Sequence, residues 1–369
     1  MNFLEILSKF NWDEIGEKID KITPQDVEKV LEKEVISEQD FLALVSKAGE
    51  NYLEIFAKKS KERTQRRFGK TIQLYLPLYL SNVCTNQCVY CGFNNSNKIK
   101  RIILSDEQIL QEVSAIKQMG YEHILLVTGE ASKKVGVDYL ENAIKLIKPS
   151  FASISAEIQP LEVEEYKRLI AAGLNSVYIY QETYNQEKYP FYHLKGKKRD
   201  FAYRLATPER LGEAGIYRIG LGALLGLENW RVEAFFMALH LRFLQKRFWK
   251  TKYSLSFPRM RPYEGQFLPP NPVSEKELAQ LIWAFRIFDE DVEISLSTRE
   301  SQNFRDNMMT LGVTSMSAGS KTEPGGYASC VTELEQFEVN DNREASELEA
   351  AIKQHGYEAV WKDWDKVFS

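Results

Sequence analysis

Ile72-Gln-Leu-Tyr-Leu-Pro-Leu-Tyr-Leu80 is an apolar run with the length and composition of a buried strand. Seven further β-rich runs follow it, and stretches with a helical pattern separate them. Strands that alternate with helices favour a parallel sheet, and eight such units favour a closed barrel. We therefore predict an α/β fold, a (β/α)8 barrel of the TIM type. Its strands are expected near 72–80, 123–128, 151–158, 176–181, 216–223, 252–257, 292–297 and 313–318.

The segments on either side of these eight units have a different pattern. Residues 1–70 are helical in periodicity, charged and without strand-like runs, so we expect an N-terminal helical extension. The barrel is expected over 71–320, with 321–369 packed on it as a short C-terminal segment. Capping boxes at Ser105-Asp-Glu-Gln108 and Ser274-Glu-Lys-Glu277 predict the starts of two barrel helices.

Composition limits the classes of function. The 369 residues carry a formal charge of −4, and 44% are hydrophobic, which is enough for a large core. A mildly acidic balance does not suggest nucleic-acid binding. No apolar run is long enough to span a bilayer, and the start of the chain lacks a charged n-region and an h-region. We expect a cytoplasmic protein that binds neither membrane nor nucleic acid.

Three cysteines, Cys84, Cys88 and Cys91, follow the first run at the spacing Cys-x3-Cys-x2-Cys. Three thiolates on a four-iron cluster leave one iron open to a substrate or a second cofactor. Structural zinc normally takes four closed ligands, and the remaining cysteine, Cys330, is distant and has no histidine beside it. Disulfides are not expected for clustered thiols in a chain without a signal peptide. The pattern favours an open-site iron–sulfur cluster over zinc, and zinc over disulfides.

Polar side chains follow almost every predicted strand. In parallel barrels the carboxyl ends of the strands form the reactive face, so these groups are expected to meet at one rim. We predict a polar site of mixed charge beside the cysteines. Its candidates are Thr128-Gly129-Glu130, Glu157, Gln159, 180–184, Gly220-Leu-Gly222, 256–261, 295–300 and 315–319.

Several of these stretches resemble a known family. Cys84-x3-Cys88-x-Tyr90-Cys91 resembles the signature of radical S-adenosylmethionine enzymes. Within that superfamily the chain is similar to the 2-iminoacetate synthases, the tyrosine lyases of anaerobic thiamine biosynthesis. The similarity covers almost the whole chain, and residues 1–70 are the least distinctive. The stretches that carry the narrower resemblance are 91–93, 97–101, 180–184, 193–198, 220–226, 256–259, 296–300, 321–327 and 360–365.

The resemblance implies a carbon–carbon lyase with two cofactors, a [4Fe-4S] cluster and S-adenosyl-L-methionine. The open iron would chelate the methionine part, and one electron would generate a 5′-deoxyadenosyl radical that takes hydrogen from the amino group of L-tyrosine. The Cα–Cβ bond would then break, leaving 2-iminoacetate (dehydroglycine) and 4-cresol beside 5′-deoxyadenosine and methionine. The cofactors supply this chemistry, and the protein positions the reactants and excludes water.

The resemblance also implies cofactor-binding residues. Thr128, Gly129 and Glu130 match a short motif after the second strand that would accept hydrogen bonds from the methionine ammonium. Tyr90 is placed beside the cluster. Glu157 would contact the nucleoside or sulfonium region, where a nearby cation favours a carboxylate. A salt bridge at the barrel rim is the alternative for Glu157.

Two further cofactor contacts are implied on later units. Arg204 would pair with the methionine carboxylate, and Arg210 is its competitor. Gly220 and Gly222 would let adenine approach the backbone of the fifth strand, although glycine also permits tight packing inside a barrel.

The tyrosine substrate carries a carboxylate that has to be held, and the planar fork of arginine suits this task. Arg299 is the first candidate, with Ser317 on the neighbouring strand, and Arg259 and Arg261 are competitors.

Glu182 and Tyr184 are expected to line the substrate pocket and to manage the phenol proton as the catalytic pair. Position 185 is Asn, where related sequences would have His, so a mechanism that uses that His as the phenolic base does not transfer.

Other functions stay open at this point. The tyrosine lyase of [FeFe]-hydrogenase maturation breaks the same bond but carries three more cysteines near its C-terminus, whereas only Cys330 follows the motif here. A tryptophan lyase is a more distant alternative. An iron–sulfur electron carrier or scaffold would be expected to close its cluster with four thiolates. The resemblance implies thiazole synthase as protein partner, and flavodoxin or ferredoxin as low-potential electron donor.

Overall fold

The computed structural model describes residues 2–261, 267–328 and 336–362. The barrel strands in this part of the chain are β1 Thr71–Ser81, β2 His123–Thr128, β3 Ser153–Glu157, β4 Ser176–Tyr178, β5 Arg218–Gly222, β6 Lys252–Ser256, β7 Glu293–Leu296 and β8 Ser315–Ser317. Each pairs in parallel with the next, and β8 pairs with β1, which closes the barrel. Each predicted run overlaps one of these strands, so the (β/α)8 fold is confirmed.

Helices surround the barrel and extend it at both ends of the chain. Both predicted capping boxes are present, one at Ser105 and one at Ser274. The α-helices of the described residues are α1 Phe3–Leu7, α2 Trp12–Asp20, α3 Pro24–Leu31, α4 Glu38–Val45, α5 Leu53–Phe68, α6 Asp106–Gln118, α7 Val137–Ile147, α8 Val163–Ala172, α9 Tyr189–Tyr192, α10 Phe201–Leu205, α11 Thr207–Ala214, α12 Trp230–Arg247, α13 Glu275–Phe288, α14 Gln302–Met308 and α15 Ala345–Gln354. Short 3-10 helices cover Ala48–Tyr52 and Lys197–Arg199.

Strand alternation explains how β1 serves both the core and the site. Leu74, Leu76 and Leu78 are fully buried in the core beneath the helices. Tyr75 and Tyr79, on the opposite face, line the cavity inside the barrel. Successive strand residues point to opposite faces, so one sequence fills the helix-facing layer with leucine and the interior with tyrosine. The same strand leads directly into the cysteines.

The N-terminal helices pack on the outside of the barrel. Phe41 of α4 contacts Phe285 and Phe288 of α13, with ring centroids 4.8 and 5.0 Å apart. Phe3 of α1 stacks on His240 of α12 at 3.9 Å. Aromatic contacts of this kind bury large apolar areas. They anchor the extension to the two helices that follow β5 and β6.

A ninth strand, β9 Glu358–Val360, pairs in parallel with the first residues of β1 outside the barrel. The sequence did not predict it, because three residues that include Glu358 have no recognisable strand period. Trp361 follows it and lies against Tyr121, with ring centroids 5.3 Å apart. Among the described residues, no helix has the length and apolar character needed to cross a bilayer.

Candidate active site

An open cavity at the carboxyl ends of the strands brings most of the predicted site residues together. Its empty space, counted with the open solvent at its mouth, is about 1470 Å³. Predicted residues that line it are Cys84, Cys88, Tyr90, Cys91, Thr128, Gly129, Glu130, Glu157, Glu182, Arg204, Arg261, Arg299 and Ser317.

The three cysteines of the motif are free thiols on the loop after β1. Burial raises the pKa of Cys91 to about 11 and raises that of Cys88 further, although the Lys198 ammonium opposes both shifts. Thiols in such a setting stay protonated until a metal centre displaces the proton. Cys330 lies outside the described residues.

Arg101 holds the cysteine loop in shape. Its guanidinium donates hydrogen bonds of 2.7–3.2 Å to the carbonyls of Asn82, Phe93, Asn94 and Asn97. The side chains of Asn94 and Asn97 donate in turn to the carbonyls of Cys88 and Gly92, each at 2.9 Å. A loop without regular structure needs such partners for its carbonyls, so Arg101 substitutes for a strand partner.

A second loop pairs with the cysteine loop from the other side. The amide of Val89 donates to the Tyr192 carbonyl, the amide of Gln87 donates to the Lys195 carbonyl, and the amide of Leu194 donates to the Gln87 carbonyl. Cys88 and His193 thereby form an isolated antiparallel bridge. The basic loop 194–199 is thus fixed directly beside the cysteines.

Gly129 is required by a close backbone approach. A Cβ at this position would lie 2.3 Å from the Val83 carbonyl oxygen and 3.1 Å from Cβ of Cys84. Thr128 presents a buried Oγ1 that has no hydrogen-bond partner in the described structure. Glycine therefore lets the end of β2 press against the cysteine loop, and the motif leaves an unsatisfied polar atom at the cavity wall.

An ion network crosses the cavity from the cysteines to β4. Arg204 bonds Glu130 at 2.8 Å and the Tyr180 carbonyl at 2.7 Å. Lys198 bonds Glu182 at 2.7 Å. Glu182 has φ 69°, a left-handed conformation that costs free energy for a residue other than glycine. The strained turn aims its carboxylate at Lys198 and at Arg204, whose Nη2 lies 3.7 Å away.

The Glu157 carboxylate and the Arg299 guanidinium face the cavity, and neither makes a hydrogen bond or an ion pair with a described residue. Burial raises the pKa of Glu157 to about 7, and repulsion from Glu182 adds to the shift. Burial also lowers the pKa of Arg299, which Tyr79 and Glu157 partly oppose. The Arg299 guanidinium stacks over Phe337 at 3.4 Å and keeps its hydrogen-bond donors available to the cavity. Ser317, which is 2% exposed, lies on the neighbouring strand β8.

The competing arginines are already neutralised by one carboxylate. Arg259 bonds Glu300 and donates to the Val273 carbonyl at 2.9 Å. Arg261 bonds the same carboxylate at 3.0 Å, and only Arg261 of the two lines the cavity. Glu300 is 2% exposed, so removing its partners would leave a buried charge. The geometry therefore favours a structural role for Arg259, contrary to the expectation that it competes for the substrate.

The structure does not place Tyr184 in the cavity, contrary to the expected catalytic pair. Tyr184 is 2% exposed, and its hydroxyl lies 3.0 Å from Nδ1 of His240 in the core. Its amide donates to Glu233 at 2.8 Å. The physical reason is the left-handed turn at Glu182, which sends the following residues behind the barrel wall. Asn185 likewise faces away, toward Glu228 at 3.4 Å.

Gly220 and Gly222 also have a different environment from the one expected. A Cβ at Gly220 would lie 2.0 Å from the ring of Tyr178, and one at Gly222 would lie 2.5 Å from the ring of Tyr180. Both rings line the cavity. The glycines make room for tyrosines of the barrel interior, so the packing alternative explains them without an adenine contact.

Three site residues were missed or left without a role by the sequence argument. Lys198, whose side chain is 13% exposed, faces the three thiols and was named only within the stretch 193–198. Arg101 and His193 were likewise named only within the stretches 97–101 and 193–198, yet Arg101 donates to four carbonyls and His193 is fully buried. In a stretch of several basic residues, the sequence does not indicate which side chain points into the site and which points to solvent.

The residues present fit an iron–sulfur cluster with S-adenosyl-L-methionine. Among the described residues, no set of three His, Cys, Asp or Glu could hold a single metal ion. Three thiols around one cavity suit a larger cluster that keeps an open iron. Thr128, Glu130 and Arg204 line the same cavity. Glu130 and Arg204 pair with each other at 2.8 Å, and an ammonium group on Glu130 with a carboxylate on Arg204 would replace that pairing.

Comparison with known proteins agrees with this geometry. Residues 78–238 match the radical SAM superfamily, and residues 256–358 match the biotin and thiamin synthesis associated domain. The 2-iminoacetate synthase of Escherichia coli (strain K12) is 48% identical over 97% of this chain and 95% of its own length. That of Salmonella typhimurium is 47% identical over 98% of this chain and 97% of its own length.

A solved structure extends the comparison to three dimensions. The crystal structure of HydG, a maturase of the [FeFe]-hydrogenase, superposes with a TM-score of 0.90 at 31% identity. The match covers 95% of this chain and 79% of that chain. The superfamily binds a [4Fe-4S] cluster and S-adenosyl-L-methionine, as the motif predicts. The higher identity and fuller mutual coverage with the synthases decide between the two groups, and the chain belongs to the 2-iminoacetate synthase family of radical SAM enzymes.

Proposed function

We propose that this enzyme cleaves the Cα–Cβ bond of L-tyrosine to 2-iminoacetate and 4-cresol for thiazole formation in thiamine biosynthesis. Membership of the 2-iminoacetate synthase family supports the reaction. The single structural observation that carries the substrate assignment is Arg299, the guanidinium in the cavity whose donors are not occupied by a described residue. A carboxylate is the group that its planar fork binds best.

The cavity divides between cofactor and substrate. Cys84, Cys88 and Cys91 would hold the cluster, and Glu130 and Arg204 would bind the methionine end of S-adenosyl-L-methionine. When bound, these cofactors supply a radical able to abstract hydrogen. The side chains of the protein bind and orient the substrate and exclude water from the cavity.

Arg299 and Ser317 hold the tyrosine carboxylate at the ends of β7 and β8. Glu157 faces Arg299 with a pKa of about 7, so it can hold or release a proton near the substrate amine or the sulfonium. A cation bound beside it would favour the ionised form. Glu182, which pairs with Lys198 at 2.7 Å, is the proposed acceptor of the phenol proton, and Tyr184 has no part in this proposal.

The partners follow from the product and the cofactor. An imine hydrolyses readily, so we propose direct transfer to thiazole synthase. The cluster needs a low-potential reductant, for which flavodoxin or ferredoxin is proposed. A cytoplasmic location, where thiols stay reduced, belongs to the same proposal.

An anaerobic assay tests the reaction. The reconstituted enzyme, S-adenosyl-L-methionine, dithionite and L-tyrosine should yield 5′-deoxyadenosine and 4-cresol together, without cyanide or CO. Formation of 5′-deoxyadenosine without 4-cresol would show that the enzyme generates the radical but acts on another substrate, and tryptophan would be tested next. No product from a fully loaded cluster would reject the enzymatic proposal.

Arg299→Lys tests the substrate contact. Loss of a bidentate charged pair costs about 1.5–3 kcal/mol, so the KM for tyrosine should rise by about 10–100-fold. Binding of S-adenosyl-L-methionine should not change. Arg210→Lys is the matched control, because Arg210 donates to the Leu161 and Tyr203 carbonyls behind the cavity. An unchanged KM in Arg299→Lys would remove Arg299 from the site.

A further inference from the structure

Three loops beside the cysteines contain basic residues and no acidic ones. They are 94–101, 131–136 and 194–199, and we call them the basic loops. The whole chain carries a net charge of −4, so this composition is a local departure from the average. The basic residues that they present as exposed side chains are Lys98, Lys100, Lys133, Lys134, Lys195, Lys197 and Arg199.

The basic loops meet around one residue of the cysteine loop. Asn86 accepts from the Asn95 amide through its carbonyl at 2.9 Å and from the Lys198 amide through Oδ1 at 3.1 Å. Its side-chain amide donates to Glu130, which precedes loop 131–136, at 2.7 Å. The three loops are therefore neighbours, and the cysteines lie directly beneath them.

The surface also has an apolar centre. Phe191 is 67% exposed and Leu194 is 49% exposed, and both lie at the edge of loop 194–199. Protein interfaces typically place aromatic and apolar residues at the centre and charged residues at the rim. In the described residues, no ion pair involves Lys195 or Lys197, so their charge faces outward.

We propose that the basic loops and Phe191 form the docking surface for an acidic one-electron carrier protein of low potential. The proposal rests on the proposed function, because only an enzyme with a cluster to reduce needs such a partner. In the step concerned, the carrier loses one electron and the cluster gains it, with no bond formed or broken in this chain.

Two features of the surface favour this partner. Complementary charge speeds encounter with an acidic protein, and the effect falls as salt rises. The loop that carries Lys195 and Lys197 is joined by backbone hydrogen bonds at Gln87 and Leu194 to the segment that carries Cys88. A carrier seated there lies against the loop that holds the cluster, so the electron path is short.

The test is a binding and reduction experiment on the reconstituted enzyme with a reduced flavodoxin. Lys195→Glu/Lys197→Glu should weaken binding about tenfold or more at low salt and slow cluster reduction in stopped-flow absorbance by a similar factor. Lys133→Glu/Lys134→Glu, on a separate loop, should act in the same direction. The matched control is Lys58→Glu/Lys61→Glu, the same charge change on exposed positions of α5.

Comparing dithionite with flavodoxin as the reductant distinguishes failure of the docking surface from failure of the proposed function. With dithionite as reductant, all variants should form 4-cresol at the unmodified rate. If dithionite gives no 4-cresol even in the unmodified enzyme, the proposed function fails. If dithionite activity is normal but both loop variants bind and accept electrons from flavodoxin as the control does, the docking surface is wrong. Equal weakening by the α5 control would likewise overturn it, since net charge alone would then explain the effect.

Discussion

The hydroxyl of Tyr90 lies 2.7 Å from Nε2 of His193, in the layer directly above the cysteines. Nδ1 of His193 lies 2.9 Å from the Tyr189 carbonyl, which can only accept, so Nδ1 carries the proton and Nε2 accepts from Tyr90. Burial lowers the pKa of His193 well below its usual range, so the ring stays neutral. The pair joins the cysteine loop to the basic loop 194–199 through uncharged groups.

Tyr90→Phe should destabilise the fold and leave the chemistry intact. The change removes the donor and leaves Nε2 of a fully buried histidine unsatisfied, which costs about 1–3 kcal/mol. Anaerobic urea denaturation measures the loss, and iron content should stay at the unmodified level. A variant with unchanged stability would show that the hydrogen bond contributes nothing net.

Tyr184→Phe should separate stability from substrate binding. Its hydroxyl contacts His240 in the core, so the variant should lose about 1 kcal/mol of stability with the KM for tyrosine unchanged. Glu182→Gln provides the contrast, because that carboxylate faces Lys198 in the cavity and its loss should reduce 4-cresol formation strongly. A raised KM in Tyr184→Phe would return this residue to the substrate pocket.

Gly129→Ala should prevent cluster assembly. The added methyl would lie 2.3 Å from the Val83 carbonyl oxygen and 3.1 Å from Cβ of Cys84, and the backbone carbonyl cannot move aside as a flexible side chain could. Iron and sulfide analysis after reconstitution should show a low cluster content. Gly16→Ala in α2 is the control, since its methyl would lie 3.7 Å from the Val232 side chain of α12, an ordinary van der Waals distance. That control should be neutral or more stable, because alanine favours helix over glycine by about 1 kcal/mol.

Arg101→Met should loosen the cysteine loop without touching the cavity. Four carbonyl acceptors lose their donor, so cluster retention during dilution or chelator challenge should fall several-fold. Lys98→Met, an exposed change in the same stretch, should retain its cluster as the unmodified enzyme does. Equal retention in the two variants would contradict the clamp.

Glu233 predicts a pH dependence of stability. Burial raises its pKa from 4.5 to about 8, although hydrogen bonds from Thr183 and the Tyr184 amide oppose the shift. Between these values the folded chain holds a proton that the unfolded chain has released. The free energy of unfolding should therefore fall as pH rises, by about 1.4 kcal/mol per pH unit from this group.

Glu233→Gln keeps the shape and removes the titration. Its stability should exceed that of the unmodified protein at pH 8, and its slope between pH 5 and 8 should be shallower by roughly the same 1.4 kcal/mol per unit. The raised pKa of Glu157 contributes equally to the slopes of the unmodified protein and of Glu233→Gln, so the difference between the two slopes reports Glu233 alone. Parallel slopes would show that Glu233 is ionised when folded.

Local pattern was sufficient for the barrel and for the rim of its site. The apolar run of β1, the capping boxes before two helices and the polar residues after strands are short-range features, and the structure contains each of them. The cysteine spacing also acts locally, because three ligands within eight residues need no distant partner. These local features therefore predict which residues lie at the carboxyl ends of the strands.

Periodicity and spacing operate within a few residues, so they were enough to predict the barrel, the cysteine loop and the polar groups at the mouth of the barrel. Which of those groups are free to bind a ligand depends on contacts between distant parts of the folded chain. Glu300 pairs with Arg259 and Arg261. The Arg299 guanidinium stacks on Phe337 and has no ion pair within the described part of the chain, and Tyr184, which follows the left-handed turn at Glu182, lies in the core. Ion pairs between residues distant in the chain depend on packing, because a charged side chain is neutralised only when the folded chain brings its partner within hydrogen-bond distance.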